Sequence, residues 1–247
     1  MTDRPEPIYP DWPAPANVHA LTTTRVGGFS QGPYTSFNLG DHVGDDPGTV
    51  ARNRALLREA LELPLEPLWL KQVHGTNVVA AAAAHIGVTA DGAWTDRPGV
   101  VCAVLTADCL PVFLCDRRGT KVALLHAGWR GLAAGVIEAG VRALATPGAE
   151  LLAWLGPAIG PDSYEVGDDV RRVFLDDDPG AAEGFRPASA GRWHADLHAL
   201  ARRRLRQQGV CAVYGGGRCT RREGDTFYSF RRDGATGRMA SLIWLAP

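Results

Sequence analysis

The sequence has no apolar run long enough to span a bilayer, and its first residues, Met1-Thr-Asp-Arg-Pro-Glu-Pro7, lack the apolar core of a secretion signal. Its five cysteines are an odd number and do not have the spacing of a disulfide scaffold. The net charge of -1 gives no electrostatic reason to expect nucleic acid or an anionic membrane as a partner. We therefore expect a reduced, cytoplasmic protein that binds neither nucleic acid nor membranes.

Histidine is also scarce, with seven residues in the chain and no His-x-His pair. An oxidase that holds several copper ions would need many more histidines, so this function class is excluded. Repeats, low-complexity segments and an interdomain linker are absent as well. The 247 residues therefore predict a single mixed α+β domain over residues 18–247. Residues 1–17 contain five prolines and little apolar pattern, which predicts a loosely held N-terminal arm.

Residues 101–131 are the stretch around which we expect the fold to be organised. Two apolar arms flank the polar segment Asp116–Gly119, as in a β-hairpin. A two-residue loop at positions 117 and 118 would place Cys109 directly opposite His126. A type I turn with a bulge at Gly119 would shift the register by one residue and turn His126 to the other face. Pro111 cannot donate to a β-ladder, so its arm is predicted to be an edge strand or to carry a bulge.

The chain after His126 changes to a glycine-containing turn and then to helical spacing. Apolar residues recur at Ala133, Val136, Ile137, Val141 and Leu144. His126 is therefore expected to end a strand just before a helix N-terminus, a place suited to anions. The simpler interpretation is a structural glycine turn without a ligand.

The remaining pattern predicts further elements on both sides of this hairpin. Asp46-Pro47 is typical of a helix N-cap and first position, for a helix ending near Leu63. The segment 25–40 is a long glycine-rich loop, and loops of that length are often functional. Strands are predicted at 18–24, 68–75, 78–84, 151–155, 226–231 and 238–245, and helices near 167–175 and 195–208.

His74, Cys109 and His126 all fall at predicted strand ends or turns. A Cys/His₂ set leaves a fourth tetrahedral position for water or substrate, as in catalytic zinc sites. Two alternatives stay open, because a cysteine in an apolar strand is usually a small core residue and a Cys–His pair also suits a hydrolase nucleophile and base. His194 and His198 stand four residues apart, and without a third ligand we expect them on a solvated helix face.

Several ordered motifs resemble one known family, purine nucleoside phosphorylases formerly called laccase-domain or multicopper polyphenol oxidase proteins. The resemblance extends from about residue 19 to the end of the chain. The motifs are Thr24–Gly28, Asn38–Gly40, His42–Pro47, Asn53-Arg54, Lys71–Gly75, Thr106–Pro111, His126–Gly131, Gly156–Gly160, Cys219-Thr220 and Phe230–Arg238.

The resemblance implies an α+β fold with a mixed, sandwich-like β core, flanking helices, and Zn²⁺ held by His74, Cys109 and His126. It implies phosphorolysis of adenosine, inosine and S-methyl-5'-thioadenosine to free base and ribose 1-phosphate, with some adenosine deamination. Bacterial relatives are also linked to editing of cytoplasmic peptidoglycan precursors. Some members carry a cysteine near Ser163, and its absence here argues against a thiol role at that position.

Phosphorolysis needs an anion site for phosphate, a donor to the departing purine and contacts to the ribose. The candidates for substrate binding are Asn38, Lys71 and Arg130, and Arg25 is a catalytic candidate that rivals Arg130 for phosphate. Asp108 adjoins the metal thiolate and could move protons, although a buried capping role explains it equally well.

Two other function classes compete with a zinc-dependent phosphorylase and deaminase. One is a metal-free cysteine amidohydrolase that uses Cys109 and His126 on a muropeptide. The other is a factor without enzymatic activity that sequesters such a precursor. Metal content distinguishes the zinc-dependent phosphorylase from the cysteine amidohydrolase. Substrate turnover distinguishes both enzymes from the factor without enzymatic activity. The sequence does not indicate an oligomeric state.

Overall fold

The computed structural model describes residues 5–247, which form a single mixed α+β domain, as the sequence predicts. The helices are α1 (Pro47–Ala60), α2 (Trp129–Ala134), α3 (Val136–Leu144), α4 (Asp168–Asp177), α5 (Leu197–Gln207) and α6 (Phe230–Asp233). The strands are β1 (Val18–Thr22), β2 (Val78–Ala80), β3 (Gly92–Thr95), β4 (Cys102–Thr106), β5 (Leu110–Asp116), β6 (Val122–Ala127), β7 (Leu151–Leu155), β8 (Glu165–Gly167), β9 (Phe185–Pro187), β10 (Arg192–Ala195), β11 (Ala212–Gly215) and β12 (Met239–Leu245).

Two β-sheets pack face to face at the centre of the molecule. A mixed six-stranded sheet has the order β11-β7-β5-β6-β3-β2, and an antiparallel three-stranded sheet has the order β1-β12-β4. The alternation of side chains along β5 explains this packing. Phe113 and Cys115 are buried between the sheets, whereas Val112 and Leu114 are buried on the opposite face. A third sheet, β8-β10-β9, is small and antiparallel.

Helices cover the outer face of each large sheet. Residues of α3 and α5, such as Ile137 and Leu200, share one apolar cluster with the outer face of the six-stranded sheet. On the other side, Leu57 of α1 packs with Leu242 and Trp244 of β12. The sandwich-like β core with flanking helices is therefore confirmed.

Local signals in the sequence place several element boundaries correctly. Asp46 accepts a hydrogen bond from Thr49 N at 2.7 Å and caps α1, and Pro47 is its first residue. The helix ends at Ala60, three residues before the predicted stop. Strands β1, β7 and β12 and helices α4 and α5 also lie where the apolar pattern predicts them.

The central hairpin forms, but both predicted registers are wrong. His126 lies opposite Pro111, not Cys109, because the loop between β5 and β6 is longer than two residues. The Asp116 carboxylate is the reason, since it accepts hydrogen bonds from Thr120 N at 2.6 Å and Lys121 N at 3.0 Å. The register differs by two residues from the first prediction, so the face that carries His126 is preserved.

The prediction of an edge strand or a bulge at Pro111 is also wrong. Strand β5 is central and pairs with β6 and β7. The Pro111 carbonyl accepts a hydrogen bond from Gly156 N, so the proline nitrogen faces the same side, just beyond the last residue of β7. No strand donor is required there, which is how a proline is accommodated at the start of a central strand.

Four further expectations differ from the structure. Residues 68–75 do not form a strand, and only Leu68 and Lys71 make isolated bridges there. Ala81–Ala83 form a 3₁₀ turn instead of continuing the strand from Val78. The segment 226–231 is not a strand, because Ser229 accepts a hydrogen bond from Arg232 N and begins α6. His194 lies on β10, and His198 is buried in α5 with its Nε2 3.2 Å from the Gly156 carbonyl oxygen, so the two do not share a solvated helix face.

The N-terminal arm was predicted to be loosely held over residues 1–17, of which residues 1–4 lie outside the described part. Ile8 pairs with Thr22 of β1, and the side chain of Asn17 donates to the Gly119 carbonyl at 2.8 Å. Trp12 and Ala14 pack against the apolar cluster between the two sheets. Residues 5–17 therefore lie against the domain.

Candidate functional site

Three segments far apart in sequence bring His74, Cys109 and His126 together. His74 lies in the loop before β2, Cys109 in the turn from β4 to β5, and His126 near the end of β6. Cys109 Sγ is 3.7 Å from His74 Nε2, and the ligand atoms of all three residues lie within 4.8 Å of one another. The sequence prediction that these three residues converge agrees with this geometry. The hairpin register from which it was partly derived is wrong.

The backbone near the three side chains adopts conformations that few residues tolerate. His74 has φ +60° and Asp108 has φ +100°, both in the left-handed region. Gly128 packs against two of the three side chains. A Cβ atom at this position would lie 2.7 Å from Cδ2 of His74 and 2.9 Å from Sγ of Cys109, so only glycine leaves the pair its space.

A buried carboxylate, Asp91, holds both histidines. Its Oδ1 accepts from His74 N at 2.8 Å and contacts His126 Nδ1 at 2.9 Å, while Oδ2 accepts from Gly75 N at 2.7 Å and Val73 N at 3.2 Å. Burial raises the pKa of the Asp91 carboxyl, but the hydrogen bonds from His126 and Gly75 outweigh it and the pKa is lowered. The carboxylate therefore fixes the His126 ring with Nε2 free for a ligand.

The pKa values of Cys109 and His126 are shifted in opposite directions. Burial raises the pKa of the Cys109 thiol, but the charge of His126 and hydrogen bonds from both histidines outweigh it and bring the pKa to about 6. Burial lowers the pKa of His126, but the Cys109 thiolate and the Asp91 carboxylate outweigh it and raise the pKa to about 9. A thiolate is the form that binds metals and attacks electrophiles, so the site is prepared for either chemistry.

The donor set fits a zinc ion. Two imidazole nitrogens and one thiolate are a known zinc ligand set that leaves one position open. Zinc bonds of about 2.3 Å to sulfur and about 2.0–2.1 Å to nitrogen put tetrahedral ligands about 3.6 Å apart. The observed Sγ to Nε2 distance of 3.7 Å between Cys109 and His74 agrees with this spacing. Within residues 5–247 this is the one such cluster of His, Cys, Asp or Glu side chains.

The three side chains open into a cavity of about 470 Å³, which is within the usual size range of small-molecule sites. Besides the three candidate metal ligands, two further predicted site residues, Asp108 and Arg130, line it. The other side chains that line it and bear on binding are His42, Gln72, Trp129, Tyr164, Phe230, Arg231 and Arg238. The cavity thus combines aromatic surface with three arginines, a combination that suits a ligand with an aromatic ring and an anionic group.

Asp108 is buried, and both of its carboxylate oxygens accept hydrogen bonds. Thr220 Oγ1 donates to Oδ1 at 2.6 Å, and Arg231 N donates to Oδ2 at 2.7 Å. These contacts tie the turn that carries Cys109 to the C-terminal segment at the cavity wall. The capping role left open by the sequence accounts for these bonds, and proton movement by Asp108 stays a prediction.

Arg25, Asn38 and Lys71 do not line the cavity. The Arg25 guanidinium donates to the Thr35 and Gly224 carbonyls at 2.9–3.0 Å and stacks on Tyr228. Asn38 is fully buried, and its Oδ1 accepts from Gly40 N and Arg238 N at 2.9 Å. Asn38 therefore supports the cavity through the backbone of Arg238, while Lys71 is exposed and pairs in a bridge with Thr89.

Sequence reasoning missed the roles of Asp91, Tyr164 and the C-terminal arginines. Asp91-Gly92 has the composition of a turn, and nothing in its local pattern distinguishes a carboxylate that binds two distant histidines. Arg231 and Arg238 lie in a motif that carries the family resemblance, which was the available signal. His42 also belongs to such a motif, and burial together with the neighbouring Arg238 lowers the pKa of its imidazole.

Comparison with known proteins gives a consistent result across the whole chain. Residues 19–246 match the family described as multi-copper polyphenol oxidoreductase laccase. A purine nucleoside phosphorylase of Pseudomonas aeruginosa is 56% identical, and purine nucleoside phosphorylase YfiH of Escherichia coli K12 is 50% identical; each alignment covers 96% of this chain and 98% of the relative.

Solved structures agree with this sequence similarity. A crystal structure of a Neisseria meningitidis protein matches with a TM-score of 0.94 at 54% identity, over 98% of this chain and 99% of that chain. YlmD from Geobacillus stearothermophilus matches with a TM-score of 0.86 at 34% identity, over 94% and 93% of the two chains. The resemblance predicted from the motifs is confirmed, and the chain belongs to the multi-copper polyphenol oxidoreductase laccase family, which includes relatives named purine nucleoside phosphorylase.

Proposed function

We propose that this protein is a zinc-dependent purine nucleoside phosphorylase with adenosine deaminase side activity. Its substrates would be adenosine, inosine and S-methyl-5'-thioadenosine, each with phosphate. The observation that carries the proposal is a three-ligand His/Cys/His group that opens into a cavity with both aromatic and cationic walls. The names of the relatives support the same substrate class.

His74, Cys109 and His126 are the residues that would hold the zinc ion. A bound zinc ion supplies a Lewis acid and a concentrated positive charge next to the substrate. Asp91 keeps the His126 ring oriented, and Gly128 leaves room for the close approach of His74 and Cys109.

The cavity walls match the parts of a nucleoside and a phosphate. Tyr164, Phe230 and Trp129 offer aromatic surface for a purine ring. Arg130, Arg231 and Arg238 offer guanidinium groups, which bind phosphate through charge-assisted hydrogen bonds. Arg130 is the one we assign to phosphate. Its guanidinium stacks on Trp129 at 4.5 Å, and Arg130 is the second residue of α2, four residues after His126.

The two proposed activities, phosphorolysis and deamination, differ in their need for phosphate. In phosphorolysis a phosphate oxygen forms a bond to C1' of the ribose while the bond from C1' to the purine nitrogen breaks, and the departing purine takes up a proton. In deamination a water molecule replaces the amino group of adenosine and ammonia leaves. Only the first reaction requires a phosphate site.

The test is the substitution Arg130→Ala, assayed with adenosine at varied phosphate. Loss of a charge-assisted hydrogen bond of about 1.5–3 kcal/mol corresponds to a phosphate KM raised roughly ten- to hundredfold. Deamination should change much less. Arg52→Ala is the matched control, because Arg52 also stacks on an aromatic ring, Phe29, but lies outside the cavity.

Equal loss of both activities in Arg130→Ala would show that Arg130 supports the shared scaffold. An unchanged phosphate KM would move the phosphate site to Arg231 or Arg238. Absence of ribose 1-phosphate from zinc-loaded wild-type protein would refute the phosphorylase proposal itself.

Metal-free amide hydrolysis by Cys109 and His126 is a second candidate function. The lowered pKa of the Cys109 thiol beside His126 favours it, since a thiolate with a neighbouring imidazolium is an activated nucleophile. Chelation separates the two candidates, because removal of zinc abolishes the proposed phosphorylase but leaves a cysteine hydrolase active.

A further inference from the structure

One buried side chain connects two of the three ligands. Asp91 is fully buried and lies directly before β3, which pairs with β2 and β6 in the six-stranded sheet. Four donors converge on its two oxygens: the backbone nitrogens of Val73, His74 and Gly75, and Nδ1 of His126.

These bonds fix the ring orientation of one proposed metal ligand and the backbone of the other. The bond to Nδ1 sets the ring orientation of His126 and leaves Nε2 as the ligand atom. The three backbone bonds hold the loop that carries His74, whose φ of +60° is unfavourable without such support. The Asp91 backbone adds to this by accepting from His126 N at 2.7 Å.

We infer that Asp91 is the positioning residue of the metal site, and that its carboxylate sets both His74 and His126 in place to bind the ion. The inference rests on the proposed zinc-dependent function. Asparagine cannot replace this carboxylate, because its amide offers one acceptor oxygen to four donors and directs an NH₂ group at some of them. Cys109 makes no hydrogen bond to Asp91 and is affected only through the histidines.

The test is the zinc affinity of Asp91→Asn, measured by competition with a chromophoric chelator. We expect zinc to bind roughly 10- to 100-fold more weakly than to the wild type, the usual cost of losing such a supporting partner. Asp91→Glu keeps the charge but moves it by one methylene. Its zinc affinity should lie between those of the wild type and Asp91→Asn.

Asp116→Asn is the matched control. Asp116 is also buried, and its carboxylate accepts from two backbone nitrogens, Thr120 and Lys121, and from the Thr120 hydroxyl, but it lies at the opposite end of the hairpin. This variant should lose a comparable amount of thermal stability and keep wild-type zinc affinity. A general effect of destabilisation would weaken zinc binding in both variants and would overturn the inference.

Hydrogen exchange of the metal-free wild type provides a measurement that needs no variant. The backbone amides of Val73, His74 and Gly75 should be protected, since each donates to the buried carboxylate. Exchange at the rate of a free loop would overturn the inference. Zinc affinity unchanged in Asp91→Asn would overturn it while leaving the proposed function intact, whereas wild-type protein that binds no zinc would overturn both.

Discussion

The pairing of Cys109 with His126 is the feature that most affects the chemistry of the site. Each residue alone is unremarkable in the sequence. Each changes its proton affinity because the charged form of the other, 17 residues away in the chain, is adjacent in space. The thiol has a pKa of about 6 and the imidazole a pKa of about 9, so between these values the metal-free pair is thiolate and imidazolium. Zinc requires the thiolate and the neutral imidazole.

This charge state predicts the proton balance of zinc binding. At pH 7.5 the Cys109 thiol has already lost its proton and His126 still holds one, so the pair should release about one proton when zinc binds. Zinc affinity should therefore rise about tenfold per pH unit from pH 6 to 9, and more steeply below pH 6, where the thiol must also lose its proton. Calorimetry in buffers of different ionisation enthalpy measures the proton count.

A count near two protons at pH 7.5 would show that both the thiol and the imidazole are protonated in the metal-free protein. A count near zero would show that the imidazole is already neutral. Cys109→Ser is the control, because without the thiolate the pKa of His126 should fall and its proton should be lost at lower pH.

Residue roles that depend on motif position alone were the least predictable. Arg25 and Asn38 both lie in glycine-rich loop motifs that carry the family resemblance, yet neither side chain lines the cavity. Their polar atoms are hydrogen-bonded within the domain. The same motifs do contribute, since Asn38 holds the backbone of Arg238 at the cavity wall. A sequence pattern identifies a segment near the site more reliably than it assigns the individual side chain that touches the ligand.

The turn from β6 into α2 is the element that sets the spacing of the ligands. Gly128 is the N-cap residue of α2. Its φ of -65° is one that any residue adopts, so its lack of a side chain is the property that matters. Gly128→Ala should push His74 and Cys109 apart, because the new Cβ would lie within 3.0 Å of both side chains. Phosphorolysis should fall roughly hundredfold, as expected for a misplacement of about 1 Å.

Stability should hardly change in Gly128→Ala, with a difference in the free energy of unfolding of no more than about 1 kcal/mol. Zinc content, activity and urea unfolding check the three expectations. Gly217→Ala is the control, since a Cβ there meets nothing within 4 Å. Normal zinc content and activity in Gly128→Ala would show that the ligands tolerate a wider spacing than we infer.

Local signals predicted single elements well and their relative placement less well. Asp46-Pro47 marks the start of α1, and continuous apolar runs identify β5, β6 and β12, because capping and burial act within a few residues. The hairpin register failed because it depends on how the Asp116 carboxylate binds the amides of its own loop. The convergence of His74 with the hairpin depends on a contact with Asp91, 17 residues further along, which no local pattern contains.

The family to which the whole molecule belongs is described by several copper ions, whereas the candidate ligands of this chain form one small set. The chain has seven histidines, and within residues 5–247 a single three-ligand cluster is present. A laccase-type copper cluster needs many more imidazole ligands. The sandwich core places its three soft and borderline donors at one end of the two sheets, and this donor set suits the single zinc ion that we propose. Across the same residues, no helix is long and apolar enough to cross a bilayer.

We therefore predict that phenol oxidation by this protein is weak and adventitious. Protein purified with zinc alone, as verified by elemental analysis, should oxidise phenolic substrates at a rate no higher than the Cys109→Ser variant. Robust oxidase turnover by zinc-only protein that is lost in this variant would refute the prediction.

The central claim is that one zinc ion at His74, Cys109 and His126 supports phosphorolysis, and a zinc titration of metal-free protein tests it most directly. Ribose 1-phosphate formation from inosine and phosphate should rise in proportion to added zinc and stop rising at about one equivalent per chain. Cys109→Ser should stay inactive throughout the titration, while Cys211→Ser, which removes an exposed cysteine outside the site, should behave as the wild type. Phosphorolysis at full rate without zinc, or no phosphorolysis at one equivalent of zinc, would contradict the account.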